Sequence, residues 1–280
     1  MPSEKSSAAA ATADVSGELD LISSRLVDAR VQARPLGEFP GSLPDNLADA
    51  YRIQSASISR WPDSVAGWKV GGVPPSFREQ YQADRLAGPI FTDSVKTVSS
   101  GEDVTMSVYD QGFAAIEAEF VIRIGKAISP DGSGLSHENL LDYVASIHIG
   151  AEIASSPMAD INRMGPGSIV SDFGNNGGLV VGPSIDNWQS RMSDAVSIAV
   201  RVDDVLVGTV KTALDQGVLQ AFEFLIQLSA DRELELSAGT YVSCGAMTGI
   251  HDVVAGKRAS VDFDGLGQFS VDFTEKQPAV

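Results

Sequence analysis

Apolar residues recur at Leu21, Ile22, Leu26, Val27 and Val31, a stripe that predicts a helix from Leu19 to about Ala33. Pro35 and the stretch around Phe39-Pro40-Gly41 end it. Asp45-Asn46 supplies a cap for a second helix to about Arg60, with Leu47, Tyr51 and Ile58 on one side and Pro62 as the stop. Gln54 falls on that stripe, so it is either buried with a hydrogen-bond partner or sits at the stripe's edge. The period then changes to two. Short strands are expected over Ala66–Gly72, at the end of Asp84–Phe91, and over Ser94–Val98 and Val104–Val108. Ile116-Glu117-Ala118-Glu119-Phe120 alternates strictly and continues to Ile124, where Gly125 closes the strand.

Ser136-x-x-Asn139 predicts a helix through about Val144, followed by a strand over Ile147–Ile153. His148 and Glu152 share a parity there, and His148 is read as a packed or hydrogen-bonded histidine rather than a ligand. Ser155 to Asn176 reads as a loop long enough to cover an active site, and Asp172 to Gly178 has the composition of a tight turn beside a ligand; a plain solvent loop has the same composition. Ala195–Val202 and Val205–Val210 predict a hairpin around Asp203-Asp204, and Gln216 to about Ser229 an amphipathic helix. Leu236–Ala238, Tyr241–Ala246, Ala259–Phe263 and Phe269–Phe273 complete the chain as short strands.

The alternating strand carries the candidate chemistry. Glu117 and Glu119 point to one face, about 6–7 Å apart along the strand. If buried, two such carboxylates stay ionised only with positive charge between them, which a hard divalent cation supplies. On a solvated strand they need nothing. Glu152 is the third carboxylate to be read with them. Lys69, among Gly67, Gly71 and Gly72, is either a solvated lysine on an edge strand or a lysine beside a pocket, placed to move a proton or bind a carboxylate.

Composition narrows the classes. The 280 residues suffice for a real core, and a formal charge of -17 argues against nucleic acid as a partner. The single cysteine, Cys244, excludes an intramolecular disulfide framework and fits a reducing compartment. No apolar run reaches the length of a membrane span, and the start lacks the apolar centre of a signal peptide, so the reading is a cytoplasmic protein. Residues 1–15 read as a flexible tail and 16–280 as one domain, helical to about 85 and β-rich with the metal-binding core over 86–280. No Gly-rich stretch opens a helix after a strand in the dinucleotide pattern.

Five segments in order, Gly67-x-Lys69-x-Gly71, Glu117-Ala118-Glu119-Phe120, Ala151-Glu152-Ile153, Asp172 to Gly178 and Ser243 to Thr248, resemble the 2-keto-4-pentenoate hydratase branch of the fumarylacetoacetate hydrolase superfamily. Gly265 to Val271 is similar to that family's closing hairpin, and the likeness runs from about Tyr51 to Phe273. The resemblance implies an α+β fold, a rolled mixed β-sheet core with surrounding helices. It implies Mg2+ or Mn2+ bound by Glu117, Glu119 and Glu152, and a small 2-oxo acid substrate. It also implies Lys69 as the catalytic proton-transfer group, Asp172, Gly245 and Thr248 as substrate-binding residues, and a homo-oligomer.

The implied activity is that of a hydro-lyase, a metal-dependent hydratase adding water to a 2-hydroxydienoate through an enolate. A decarboxylase, an acylpyruvate-type hydrolase and a non-catalytic homologue are the alternatives. Absence of a histidine before His137 counts against the hydrolase, whose water-activating base is often a His-Glu pair ahead of the acidic strand. The family's Pro-Asp-aromatic-Gly segment reads Arg85-Leu86-Ala87-Gly88 here, so Leu86 stands at the place of a candidate acid, with Asp84 two residues away. Its Asp-Asn pair becomes Asp172-Phe173, its Gly-x-Pro becomes Asp215-Gln216-Gly217, and His251-Asp252 replaces apolar residues.

Overall fold

The computed structural model describes residues 4–130, 134–136 and 138–279; His137 lies outside them. The strands are β1 Val65–Gly72, β2 Arg85–Phe91, β3 Val95–Thr97, β4 Asp103–Val108, β5 Phe113–Ile124, β6 Val144–Ser156 and β7 Asn176–Ser184. They continue with β8 Val196–Val202, β9 Val205–Thr212, β10 Tyr241–Ser243, β11 His251–Asp252, β12 Arg258–Phe263 and β13 Gly267–Glu275. The helices are α1 Glu4–Val31, α2 Leu47–Arg60, α3 Pro75–Tyr81, α4 Ile161–Met164, α5 Pro166–Ser171 and α6 Val218–Asp231.

One mixed sheet runs β2-β1-β10-β5-β6-β7-β3, with β11 added beside β5, and a second runs β4-β13-β12-β8-β9. The parity of β5 explains how they meet. Ile116, Phe120, Ile122 and Ile124 turn one way, into a core shared with Ile198, Val261, Phe263 and Phe269 of the second sheet. The rings of Phe120 and Phe263 lie 5.4 Å apart across it. Burying each such side chain contributes roughly 1.5–3 kcal/mol. The other parity of β5 leaves Glu117 and Glu119 on the opposite face, while Ile22, Leu26, Ile53 and Val170 of α1, α2 and α5 form a separate apolar cluster.

The predicted period-two runs form strands except Leu236–Ala238, where Leu236 makes only an isolated bridge to Ile128, and α2 begins where expected, with Asn46 accepting the Asp49 N–H. Gln54 proves buried, its amide donating to Ala87 and Val170 carbonyls and its oxygen accepting from Arg232. Three further expectations change. Helix α1 starts at Glu4, so residues 4–15, read as tail, continue the helix; alanines at 8–11 have high helix propensity. The helix predicted from Ser136 is only a 3-10 turn over Leu140–Tyr143, because Asn139 ties back to Ser136 and Gly134 and β6 begins at Val144. The segment from Ser155 to Asn176 is no loose cover: it extends β6, forms α4 and α5, and buries every residue of α5.

Candidate metal centre and active site

Strand pairing brings the three glutamates together. Glu117 lies directly across from Glu152 on β6, and Glu119 follows two residues along β5 on the same face. One carboxylate oxygen from each lies within 4.8 Å of the others, and all three residues are buried. Lys69 arrives from β1, paired with Ser243 of β10, which in turn pairs with Val121 of β5. Its Nζ stands 3.4 Å from Glu152 Oε2. The solvated-face readings of Lys69 and of the acidic strand both fail, since Lys69 is 7% exposed and Glu119 wholly buried.

The donors around the triad are few. Glu119 Oε2 accepts from the Gly245 N–H at 2.9 Å and from the Ser243 hydroxyl. Glu152 Oε1 accepts from Asn176 Nδ2 at 2.9 Å. Glu119 Oε1 and Glu152 Oε2 are buried without a hydrogen bond. Three carboxylates against one ammonium leave two negative charges over, in a place where buried acceptors should be satisfied. A divalent cation fits both deficits, and an all-oxygen donor set suits a hard one.

The charges shift accordingly. Burial, reinforced by Glu152 and opposed by Lys69, pushes the Glu117 carboxyl up to about 7. Burial and then Glu152 and Glu117 hold Glu119 well above the usual carboxylate range, against the Ser243 hydrogen bond and Lys69. For Lys69, burial pulls the ammonium down, and Glu152, Glu117 and Glu119 together more than reverse it, leaving its pKa raised. In the metal-free protein the lysine therefore holds its proton.

A cavity of about 460 Å³ opens onto Lys69 and Glu117, walled by Leu86, Asn175, Cys244 and Gly245 among others. One wall is a left-handed run, Phe173, Gly174 and Asn175 at φ 55°, 68° and 62°. It packs on Gly88, where a Cβ would come within 2.2 Å of the Phe173 carbonyl oxygen, so only glycine fits. Asn175 is buried, with its Oδ1 lacking a donor. A second cavity, about 470 Å³ among Arg30, Trp61, Lys96, Tyr109 and Lys276, contains none of the three glutamates.

Of the three residues expected to bind substrate, Gly245 alone lines the cavity. Asp172 is buried and bidentate with Arg30 of α1, at 2.5 and 2.9 Å, and also accepts from Ser156; it is a packing ion pair rather than a cavity group. Gly245 lines the cavity, but its N–H is spent on Glu119. Thr248 is not in the cavity wall; its hydroxyl lies 3.0 Å from His251 Nε2. Asp84 does not replace the acid missing at Leu86, being 82% exposed and turned to Arg78. His148 is hydrogen-bonded to Ser146 and the Gly182 carbonyl, in line with its reading as a hydrogen-bonded histidine rather than a ligand.

Sequence reasoning missed Asn176 and Ser243 as supports of the triad, although both sit inside segments it had marked, Asp172 to Gly178 and Ser243 to Thr248. It also missed Arg30, which donates to the Asn176 carbonyl at 2.9 Å. Nothing in the spacing of α1 signals that contact, 146 residues away in the chain.

No protein-family model matches the chain. No curated protein sequence matches it. Solved structures do. 4-oxalocrotonate decarboxylase from Pseudomonas putida G7, complexed with calcium and acetate, is 19% identical over 92% of this chain and 97% of that one, with a TM-score of 0.74. The same enzyme complexed with magnesium and adipate gives 18% and 0.73 over the same shares. Fumarylpyruvate hydrolase from Pseudomonas aeruginosa, in complex with Mn2+ and pyruvate, is 19% identical over 75% of this chain and 89% of that one, with a TM-score of 0.54. These belong to the fumarylacetoacetate hydrolase superfamily, and the chain has that superfamily's α+β fold.

Proposed function

We propose that the protein is a divalent-metal-dependent hydratase of 2-hydroxy-dienoic and 2-oxo-alkenoic acids. The observation that carries this reading is a buried carboxylate triad, with two oxygens lacking a hydrogen bond, beside a buried lysine, Glu117 and Lys69 both lining one cavity. Glu117, Glu119 and Glu152 would hold Mg2+ or Mn2+, and the magnesium and manganese complexes of the structural neighbours support that choice. When bound, the ion supplies Lewis-acid chemistry, drawing electron density from the carboxylate and 2-oxo oxygens of the substrate.

The remaining work falls to the chain. Hydration of a 2-hydroxydienoate needs the enol O–H proton to leave oxygen and a proton to arrive at C5. Water oxygen then bonds to C4 while a proton arrives at C3. Lys69 is the cavity group suited to carry these protons at Nζ. Cys244 is unsuited, because burial drives its thiol far up. Asn175 Oδ1 offers an acceptor to a hydroxyl, and Leu86, Ile169 and Met247 give the carbon chain an apolar wall.

Decarboxylation is the second reading, favoured by Leu86, which leaves the cavity without the family's second acid for water addition. Hydrolysis of a carbon–carbon bond has less support, since neither His148 nor His251 lines the cavity to activate water. The test is the ultraviolet absorbance of 2-hydroxypenta-2,4-dienoate with the Mg2+- or Mn2+-loaded protein. Metal-dependent loss of the dienoate band, giving a 4-hydroxy-2-oxo acid and absent in Glu117→Ala, is expected. Metal binding with no loss of the band would reject the substrate and shift attention to decarboxylation.

A further inference from the structure

The second cavity matches the first in size, about 470 Å³ against about 460 Å³, and none of the three glutamates lines it. Stretches far apart in the chain wall it, from the end of α1 and the turn after α2 to β4 and the segment that follows β13. That last segment is strapped in place, the Lys276 N–H donating to the Val108 carbonyl and the Ala279 N–H to the Val31 carbonyl. Its course sets Lys276 into the cavity wall, half-buried. The Lys276 ammonium makes no hydrogen bond and no ion pair among the described residues. The acids nearby have other partners: Asp172 pairs with Arg30, and Asp63 accepts the Ser64 and Asp93 N–H groups at 2.7 and 2.8 Å. Asp93 also lines the cavity but is exposed, and among the described residues it forms no ion pair with either Lys96 or Lys276. Burial, then Arg30 and Lys96, hold the Lys276 pKa below the usual lysine value, with Asp93 opposing. In a chain with 37 acidic against 20 basic residues, this corner is short of negative charge.

Much of the remaining wall is apolar and aromatic. Trp61 and Phe91, with rings 5.3 Å apart, line it together with Met106 and Tyr109. Aromatic walls favour a flat ring over a compact, strongly hydrated anion, and an unpaired ammonium favours a carboxylate. We propose that this cavity is a second ligand site, taking a small aromatic monocarboxylate whose carboxylate meets Lys276 and whose ring packs against Trp61 and Phe91. The site shares a wall with the metal centre. Arg30 and Asn176 line it, Arg30 donates to the Asn176 carbonyl, and the Asn176 amide donates to Glu152 Oε1. A ligand packed there bears on the group that holds Glu152, so the carboxylate and the metal ion alter each other's affinity by one common factor. That coupling rests on the metal-site reading above; binding of the carboxylate does not.

The experiment is calorimetric titration of the metal-free full chain with benzoate, benzyl alcohol and inorganic phosphate, in the wild type and in Lys276→Gln. Benzoate is expected to bind the wild type about tenfold tighter or more than either of the others, in line with a charged hydrogen bond added to ring packing. Lys276→Gln should weaken benzoate by about tenfold or more, while a cooperative thermal transition reports that the variant is folded. Titration with Mg2+ then follows, with and without saturating benzoate. The ion's affinity should shift about fivefold or more in the wild type and stay put in Lys276→Gln, which separates this site from benzoate binding on the ion itself. No benzoate binding at millimolar concentration, binding that survives in Lys276→Gln, or phosphate binding as tightly as benzoate would overturn the proposed site. An unshifted Mg2+ affinity would overturn the coupling alone. Lys276-dependent benzoate binding in a protein that takes up no Mg2+ would bring down the metal-site reading and leave the second site standing.

Discussion

Glu152 is held by the Asn176 side chain, which donates to Oε1 at 2.9 Å, and by Lys69 3.4 Å from Oε2. Groups that orient a ligand commonly govern metal affinity, so Asn176→Ala should weaken Mg2+ or Mn2+ binding by about 10–100-fold. Calorimetry would show it, and an unchanged affinity would mean that the packing around Glu152 holds it without help. Lys69 calls for the opposite pattern. Its Nζ touches the triad through Glu152 but need not be a ligand, so Lys69→Ala should keep metal binding while turnover falls about 10²–10⁴-fold. A variant that retained full turnover would remove the lysine from the chemistry. The two substitutions separate holding the ion from moving the proton.

At the scale of elements, α1 is the less obvious support of the site. Arg30 lies between the Tyr109 and Phe173 rings, pairs with Asp172, and donates to the Ser155 and Asn176 carbonyls. Breaking a buried ion pair from one side costs about 3–5 kcal/mol, so Arg30→Met should lower the urea midpoint markedly. The paired change Arg30→Met with Asp172→Leu should recover much of that loss; no recovery would assign the effect to the carbonyl contacts instead. What could be read from the chain follows the same division. Parity along β5 placed Glu117 and Glu119 on one face because side-chain period is local. The strand pairing that sets Glu152 opposite Glu117 is not local, and neither is the Arg30–Asp172 pair, so Asp172 looked like a ligand-binding residue when its partner was a helix 142 residues earlier. Leu86 was legible as a missing acid, whereas its place in the cavity wall could be seen only in the folded chain.

For the whole molecule, the triad makes stability depend jointly on pH and metal. Glu117 titrates at about 7 when folded, with Glu119 also raised, against an ordinary carboxylate value near 4.5. The metal-free fold therefore binds more protons than the unfolded chain between those values. Its stability falls as pH rises through that window, because burial must then tolerate ionised carboxylates. Half-buried His148 and His251, whose pKa values are lowered by desolvation, act the other way and lose stability as pH falls below about 6.5. Both lie outside the triad, so their effect is common to the metal-free and metal-loaded protein and cancels in the difference between them. A divalent ion requires deprotonated ligands and so competes with those protons. The rise in Tm on adding Mg2+ or Mn2+ should be small at pH 5.5 and grow to several degrees by pH 8, as the apparent affinity climbs. Scanning calorimetry with and without the ion, across that range, measures it directly. A metal-induced shift that is flat with pH, or largest on the acid side, would show that the ion binds somewhere other than Glu117, Glu119 and Glu152.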